Sequence, residues 1–303
     1  LKKSFDQKAV VNEIDLSIYE GEIFGFLGPN GAGKTTTLRM LATLLDIDSG
    51  EAYIDGKSVR SEPQAVRELI GYVGQKGGAD LPATGRENLH LQGRLYGLSG
   101  MEVKRRADEL IEIFSLQECI DRYVKTYSGG QQRRLEIALG MISRPKLLFL
   151  DEPTTGLDPQ NRTNLWEQIQ SLNDLGVTIF ITSHYLEEVD FLAHRVAIMD
   201  HGEIVALDTP KRLKEQISGE IVEVGMSSYE NEPIISAFEG LTFVREVTKG
   251  EKELRLFVDD GAKALPHILR LLDDKKITLD TLKLSLPTLN DVFLKKTGRT
   301  LRK

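Results

Sequence analysis

The chain has 303 residues, enough for roughly two domains, and 40% of them are hydrophobic, which is ordinary for a globular protein with an apolar core. The net charge of −7 argues against nucleic acid as the main partner, because a general basic field is absent. A single cysteine, Cys119, excludes an internal disulfide and fits a reducing, cytoplasmic compartment.

The sequence predicts no transmembrane helix, because it contains no run of 18 apolar residues. No signal-peptide pattern opens the chain. The first residue is Leu1 rather than Met, and we expect a short N-terminal segment to precede it. A role at a membrane would therefore depend on a partner.

Short apolar runs alternate with helical patterns over the first 217 residues. Runs typical of buried strands are EIFGFLG (22–28), KLLFLDEP (146–153) and VTIFITSH (177–184). Helical spacing occurs in TTTLRMLATLL (35–45) and in residues 161–176, where Gly176 would end the helix. A strand–turn–strand with His201–Gly202 at its turn follows at 195–210. Strand, helix and strand at this spacing predict βαβ units, a parallel sheet and an α/β fold.

A different pattern begins after about residue 218. Strands are predicted at 220–226, 241–248, 253–259 and 277–286, and helices at 231–240 and 262–274. The order β-α-β-β-α-β predicts the split βαβ, ferredoxin-like arrangement. A last helix is predicted at 288–298, with Thr288 as its N-cap. We therefore expect a first domain at 1–217 and a small α+β accessory domain at 218–303.

A phosphate-binding loop is predicted between the first strand and the first helix, where the sequence fits GxxxxGK[ST]. The glycines would let backbone N–H groups point at phosphate oxygens. Lys34 would reach the β- and γ-phosphates, and the Thr35 hydroxyl would ligate Mg²⁺. A chance glycine turn is the alternative, which the flanking strand and helix disfavour. The predicted nucleotide-binding residues here are Gly28, Pro29, Asn30, Gly31, Ala32, Gly33, Lys34, Thr35 and Thr36.

Two carboxylates follow the apolar run LLFL. Asp151 and Glu152 come at the carboxyl end of that strand, where ligands bind in open α/β sheets. Asp151 would hold Mg²⁺, directly or through water, and Glu152 would polarise the attacking water. For Glu152 the alternative is a solvated or capping carboxylate near a helix start.

A second candidate phosphate site opens a later helix. Ser128, Gly129 and Gly130 precede the helical pattern QQRRLEIALGMI. A serine hydroxyl and glycine amides at a helix N-terminus suit an anion. These residues alone favour an N-capped helix without a ligand by about two to one.

Over nearly all of residues 1–217 the chain resembles the nucleotide-binding subunit of ABC transporters, with the family's motifs in the family's order. They are Walker A GPNGAGKT, the Q-loop at Gln75 in YVGQ, the signature YSGGQ, Walker B LLFLDE, the D-loop GLDP (156–159) and the switch histidine His184 in TSH. The resemblance implies ATP and Mg²⁺ as ligands, and a helical subdomain at about 85–140. It also implies a head-to-tail dimer, here a homodimer, in which each signature closes on the γ-phosphate held by its partner.

The resemblance further implies a role for each matched position. Ser128, Gly129, Gly130 and Gln131 would bind the partner's ATP. Gln75 would sense Mg²⁺ and the attacking water and contact the membrane partner, and Asp158 would cross-link the two sites. His184 would hold the γ-phosphate, the alternative being a strand-end histidine. Phe5 would stack on adenine, the alternative being a core aromatic of an N-terminal strand.

Departures from the commonest family pattern narrow the subgroup. Tyr127 begins the signature where Leu is commonest, and residues 73–98 and 286–298 look like the daunorubicin-resistance type of exporter ATP-binding subunit. That type also carries a C-terminal extension. The resemblance implies an ATPase that powers an exporter through a separate polytopic membrane permease, bound peripherally at the cytoplasmic face of the cell membrane.

Two questions stay open at this point. The alternative function is a soluble ABC-type ATPase that acts as an assembly factor or regulatory switch, and the region 86–97 would discriminate the two, since transporters use it to receive the membrane subunit. For the C-terminal domain, contact with the dimer or the permease, ligand sensing and simple packing all remain possible roles.

Overall fold

The computed structural model describes residues 1–217, 219–226, 232–249 and 253–298. The chain divides into two compact units, Leu1–Pro210 and the residues from Lys211 onward. The boundary after Pro210 places all but the first residue of the helix Pro210–Glu215 in the second unit. The boundary predicted from the sequence, at residue 217, assigns that helix to the first domain and stays a prediction.

The first unit alternates strands and helices. Its strands are β1 (Lys3–Phe5), β2 (Lys8–Val11), β3 (Ile23–Leu27), β4 (Tyr53–Ile54), β5 (Lys57–Ser58), β6 (Ile70–Val73), β7 (Leu147–Asp151), β8 (Thr178–Ser183), β9 (Arg195–Asp200) and β10 (Glu203–Asp208). Its helices are α1 (Lys34–Leu41), α2 (Pro63–Leu69), α3 (Gly85–Leu95), α4 (Gly100–Ile113), α5 (Gly129–Gly140), α6 (Pro159–Asp174) and α7 (Leu186–Leu192).

A six-stranded sheet with the order β10-β9-β3-β8-β7-β6 forms the centre of this unit. All its pairings are parallel except that of β10 with β9 at one edge, which confirms the predicted α/β class. Strands β3 and β8 are buried along their whole length, which explains why they read as continuous apolar runs. Since β3 and β7 both pair with β8, the residues that follow these three strands emerge at one edge of the sheet.

Helix α1 ends before the predicted run 35–45 does. Thr43 has a φ of 60°, its N–H donates to Met40 O (3.1 Å), and Leu44 N–H donates to Arg39 O (2.9 Å). These two bonds form a Schellman motif, which terminates a helix at a left-handed residue. The helix therefore stops at Leu41 although the apolar spacing continues.

Two predicted chain reversals are confirmed. His201 and Gly202, with φ values of 46° and 86°, join β9 to β10 in the manner of a type I′ hairpin turn. Gly176, with a φ of 89°, lies just beyond α6 and donates to Asn173 O (2.8 Å). Three helices, α3 to α5, occupy the segment predicted as a helical subdomain.

The second unit has the predicted ferredoxin-like arrangement. Its described elements are α8 (Pro210–Glu215), β11 (Glu220–Met226), α9 (Glu232–Glu239), β12 (Val244–Lys249), β13 (Glu253–Val258), α10 (Gly261–Asp274), β14 (Leu279–Ser285) and α11 (Leu289–Thr297). The sheet order is β12-β13-β11-β14, and every pairing is antiparallel. Phe238 of α9 and Ile268 of α10 pack with Val222 and Val224 in its core. No helix in the described ranges is both long and apolar enough to cross a membrane.

Candidate functional site

A cavity of about 460 Å³ lies at the edge of the central sheet where β3, β7 and β8 end. Residues from the predicted phosphate loop, the Q-loop, the Walker B strand end and the switch histidine line it together. The lining residues are Val10, Asn30, Gly31, Gly33, Lys34, Thr35, Thr36, Gln75, Glu152, Thr155 and His184.

The phosphate loop curls because its glycines take conformations that other residues rarely adopt. Gly31 and Gly33 have φ values of 80° and 107°. A Cβ atom on Gly33 would lie 2.4 Å from Val10 O, and one on Gly28 would lie 2.3 Å from Met199 O. Helix α1 starts directly after Gly33, so the N–H groups of its first turn lie at the loop, as an anion site requires.

Lys34 is held inside the loop by backbone oxygens. Its Nζ donates to Gly28 O (2.7 Å) and Pro29 O (3.1 Å), and it lies 3.4 Å from Oε1 of Glu152. Burial lowers the pKa of Lys34 from its usual range, and the carboxylate of Glu152 opposes that shift. An anion in the cavity would likewise favour the charged form of this lysine.

Asp151 has the features of a carboxylate that holds a divalent cation. Its Oδ1 accepts hydrogen bonds from Oγ1 of Thr35 (2.9 Å) and of Thr182 (2.7 Å). Its side chain is 1% exposed, and its Oδ2 has no hydrogen-bond donor among the described residues. A buried carboxylate oxygen without a donor, beside a threonine hydroxyl, fits the oxygen ligands that Mg²⁺ prefers.

Glu152 contacts several of the other residues that line the cavity. It has a φ of 47°, and its N–H donates to Thr182 O (3.1 Å) and Thr182 Oγ1 (3.0 Å). Its Oε2 accepts from Nε2 of Gln75 (3.2 Å) and Oγ1 of Thr155 (3.3 Å), and lies 3.1 Å from Nδ1 of His184. The fold thus brings Gln75, Glu152 and His184 together from three separate loops.

The signature residues lie at the N-terminus of α5, where Ser128 and Gly129 are exposed and Gly130 is buried. Ser128 Oγ accepts from Gln131 N–H (3.3 Å), and Gln131 Oε1 accepts from Ser128 N–H (3.1 Å), which forms a capping box. A Cβ atom on Gly130 would lie 2.5 Å from Oδ1 of Asn161 on α6. The signature therefore packs beside the start of α6, and within the described residues neither it nor Asp158 lines the cavity.

Asp158 caps α6. Its Oδ1 accepts from Asn161 N–H (3.0 Å), and the hydrogen bonds from the Asn161 backbone and side chain lower the pKa of Asp158. The structure thus places the D-loop residue at a helix start, close in space to the signature and apart from the cavity lining.

Phe5 ends β1 on the hairpin whose second strand brings Val10 to the cavity. Its side chain is 45% exposed, and Nζ of Lys3 lies 5.5 Å from its ring centroid. An exposed ring is unlike a core aromatic. Stacking on adenine remains a prediction, since Phe5 is outside the lining of the cavity in the described part of the chain.

Two buried charged residues beside the site escaped the sequence analysis. Glu188 on α7 accepts hydrogen bonds at Oε1 from Thr154 Oγ1 (2.7 Å) and Trp166 Nε1 (3.1 Å), and burial raises its pKa. Arg133 on α5 contacts backbone oxygens next to Gln75 and Glu152. The available signal was the helical spacing, which places Glu188 beside Val189 and Leu192 and places Arg133 one turn before Ile137, on the buried faces of α7 and α5.

Comparisons with protein families match both units of the chain. The family described as "ABC transporter" matches residues 11–155, and "ATP-binding protein DrrA1-3-like, C-terminal domain" matches residues 209–297. The daunorubicin resistance ATP-binding protein DrrA2 of Streptomyces coeruleorubidus is 41% identical over 300 residues, which cover 98% of this chain and 93% of that protein. The linearmycin resistance ATP-binding protein LnrL of Bacillus subtilis is 38% identical over 305 residues, which cover 100% of this chain and 98% of that protein.

Solved structures give the same assignment for the fold. The dimeric ATP-binding cassette MJ0796, bound to ADP and Pi, is 26% identical with a TM-score of 0.62, over 69% of this chain and 94% of that chain. The cbiO1 protein of Clostridium perfringens, part of the ABC transporter complex cbiONQ, is 28% identical with a TM-score of 0.65, over 72% of this chain and 90% of that chain.

These comparisons confirm the resemblance stated from the motifs, including the daunorubicin-resistance type, and they do not favour the soluble assembly factor. The chain belongs to the ABC transporter family, as an ATP-hydrolysing subunit of the exporter type with a DrrA1-3-like C-terminal domain.

Proposed function

We propose that the chain binds MgATP in the 460 Å³ cavity, hydrolyses it to ADP and phosphate as one half of a homodimer, and drives export through a separate membrane permease. The observation that carries the proposal is the meeting of Lys34, Glu152 and His184 in one cavity, because these residues come from three motifs far apart in the chain. ATP hydrolysis coupled to transport is the activity of the family to which the chain belongs.

Nucleotide binding rests on the phosphate loop and its lysine. Backbone N–H groups of the phosphate loop and of the first turn of α1 would surround the phosphates, and Lys34 would exchange its contact with Glu152 for a phosphate oxygen. Thr35, Asp151 and Gln75 would hold Mg²⁺. The bound cation would neutralise the negative charge that develops on the phosphates. Phe5 would cover the adenine ring.

Hydrolysis rests on Glu152 and the residues around its carboxylate. Glu152 would orient the attacking water and accept its proton, and Gln75 would keep that carboxylate aligned through its 3.2 Å hydrogen bond. His184 would hold the γ-phosphate. Positioning and electrostatic stabilisation supply most of the rate of phosphoryl transfer, so these fixed distances are the main contribution of the protein.

Dimerisation is supported by the place of the signature. Ser128 and Gly129 are exposed at a helix N-terminus apart from the chain's own cavity, with Gly130 and Gln131 directly behind them, which suits a phosphate brought by a second copy. Asp158, beside that helix end, would link the two sites. ATP would hold the dimer closed, and loss of the γ-phosphate would release it.

Docking of a permease is supported by exposed side chains on α3 and at its C-cap. Leu91, Leu95 and Tyr96 are exposed, Leu95 at 72%, in the region expected to receive a helix of the membrane subunit. The chain would then lie peripherally at the cytoplasmic face of the membrane. Export is supported by relatives named for drug resistance and for Nod factor export. No nucleic acid partner is proposed.

The test compares the size and the ATPase rate of the wild type and Glu152→Gln, with and without MgATP. We expect slow turnover by the wild type, and an ATP-dependent dimer of Glu152→Gln that does not turn over, because the amide cannot accept the proton from water. Lys34→Ala should show neither binding nor dimer. A Glu152→Gln protein that stays monomeric with ATP bound, even with its permease present, would contradict the proposed dimer.

A further inference from the structure

One buried guanidinium joins three of the site's motifs. Arg133 lies in the second turn of α5, the helix whose N-terminus is the signature, and it is only 7% exposed. A buried charge persists where its hydrogen bonds are satisfied, so the partners of Arg133 define what it does.

Three of these partners are backbone oxygens next to the residues that surround the attacking water. Nη1 of Arg133 donates to Gly74 O (2.8 Å), the residue before Gln75. Nε donates to Pro153 O (2.8 Å) and Nη2 to Asp151 O (3.2 Å), the two residues on either side of Glu152. Arg133 therefore holds the chain before Gln75 and on both sides of Glu152.

The backbone conformation of Glu152 explains why the residues on both sides of it must be fixed. Its φ of 47° lies in the left-handed region, which a glutamate adopts only where the surroundings over-determine it. Thr182 fixes the N–H of Glu152 from β8. Arg133 fixes the carbonyl groups before and after it, and thereby the direction in which the carboxylate points.

A carboxylate completes the arrangement. Oε2 of Glu136, one turn later on α5, lies 3.0 Å from Nη1 of Arg133, and Glu136 is 6% exposed. A Cβ atom on Gly77 would lie 2.0 Å from Oε1 of Glu136, so the Q-loop backbone passes directly over this ion pair. A lysine could not replace the arginine, because only a planar fork of donors reaches three carbonyls at once.

We propose that Arg133 is a positioning residue for ATP hydrolysis, which keeps Gln75 and Glu152 in register and ties both to the signature helix. The proposal rests on the function proposed above for Glu152. It predicts a defect in the chemical step without a defect in nucleotide binding, since Arg133 has no described contact with the phosphate loop.

The test measures kcat, the Kd for MgADP and the thermal midpoint of the full chain. Arg133→Lys should lower kcat by about tenfold or more, because small misplacements of catalytic groups cost up to about a hundredfold, while the Kd changes less than about threefold. Arg133→Gln should lower kcat further.

Arg106→Lys is the matched control. Arg106 on α4 is another largely buried arginine paired with a glutamate three residues later and a backbone carbonyl, with Nη2 donating to Met141 O (2.8 Å) and Nη1 lying 3.0 Å from Glu109, and it lies outside the lining of the cavity. Its substitution should leave kcat within about twofold, and the shift of its thermal midpoint gives the purely structural effect of replacing a buried arginine with lysine.

Several outcomes would overturn the proposal. One is a kcat of Arg133→Lys equal to that of the wild type. If Glu152→Gln is inactive in the same assay, the proposed function stands and only the role of Arg133 is refuted. Another is a parallel loss of kcat, MgADP affinity and thermal midpoint beyond that of Arg106→Lys, which would indicate a structural role. If Arg133→Lys does not fold, Glu136→Gln tests the proposal instead, because Glu136 forms the ion pair with Arg133. It should lower kcat at unchanged Kd, and an unchanged kcat would refute the proposal.

Discussion

Glu188 and Asp151 illustrate at the residue scale how the fold treats a buried carboxylate. Asp151 receives two threonine hydroxyls on one oxygen and leaves the other without a donor among the described residues, which suits a cation. Glu188 likewise accepts two hydrogen bonds at one oxygen, from Thr154 and Trp166, and its Oε2 has no donor in the described part of the chain. These bonds link the segment after β7 to α6 and α7, whereas Asp151 is bonded to Thr35 of the phosphate loop. The two carboxylates thus serve a ligand site and a structural junction.

The raised pKa of Glu188 makes stability depend on pH. Burial raises this pKa above the ordinary value of 4.5, so above that value the folded state retains a proton that the unfolded state has lost. The stability contributed by Glu188 is therefore fully present below the ordinary pKa and falls as pH rises through the folded pKa. We expect Glu188→Gln to weaken this decline, measured as the free energy of unfolding by urea titration at several pH values.

Glu187→Gln, a substitution at the exposed neighbour, is the control for this measurement. It should leave the pH dependence as it is in the wild type. A decline with pH that is the same in Glu188→Gln and the wild type would show that other groups cause it.

At the scale of elements, the ends of the helices depend on single backbone conformations. Gly176 after α6 and Thr43 after α1 both adopt left-handed φ values, 89° and 60°. Glycine signals such an end in the sequence, whereas threonine does not. The end of α6 was therefore predicted and the end of α1 was not.

Gly176→Ala tests the conformational part of this argument. Open space surrounds the position where its Cβ atom would lie, so the effect comes from the φ of 89° alone. We expect the free energy of unfolding to fall by about 1 kcal/mol, the cost of a left-handed alanine. Gly78→Ala, equally open but without a left-handed φ, should change it by less than about 0.5 kcal/mol.

Denaturant titration of both variants measures the difference. Equal losses in Gly176→Ala and Gly78→Ala would contradict the assignment of the cost to backbone strain, because both lack steric neighbours.

On the scale of the whole molecule, the cavity belongs to one unit. Every residue that lines it lies within Leu1–Pro210, and the second unit has its own sheet and apolar core. No described residue of the second unit lines the cavity, and contact with the dimer or the permease, ligand sensing and simple packing stay predictions for the role of this unit.

Removal of the residues from 211 onward tests this division. A truncated chain that folds should bind MgATP within about threefold of the full chain, because each lining residue is retained. Its ATP-dependent dimer or its capture by the permease should weaken. The measurements are equilibrium binding and size, and loss of MgATP affinity in a folded truncation would show that the units share the site.

The sequence by itself determined the family, the phosphate loop, the strand that ends at Asp151 and the order of elements in both units. These features are local: a strand, a glycine turn and a helix follow one another within about twenty residues, and each leaves its own pattern. Gln75 and His184 were assigned through motif resemblance, and Glu152 through its place at the end of a buried strand, since nothing local shows that the three meet.

Only the tertiary structure decided which distant groups touch. The parallel pairing of β7 and β3 with β8 brings Glu152 to Lys34 at 3.4 Å, and the packing of α5 brings Arg133 under Gly74 and Asp151. The register of a sheet and the approach of a helix are set by burial over the whole unit, which no short stretch of sequence contains. For the same reason the role of the buried Arg133 follows only from its three carbonyl partners, which lie far from it in the sequence.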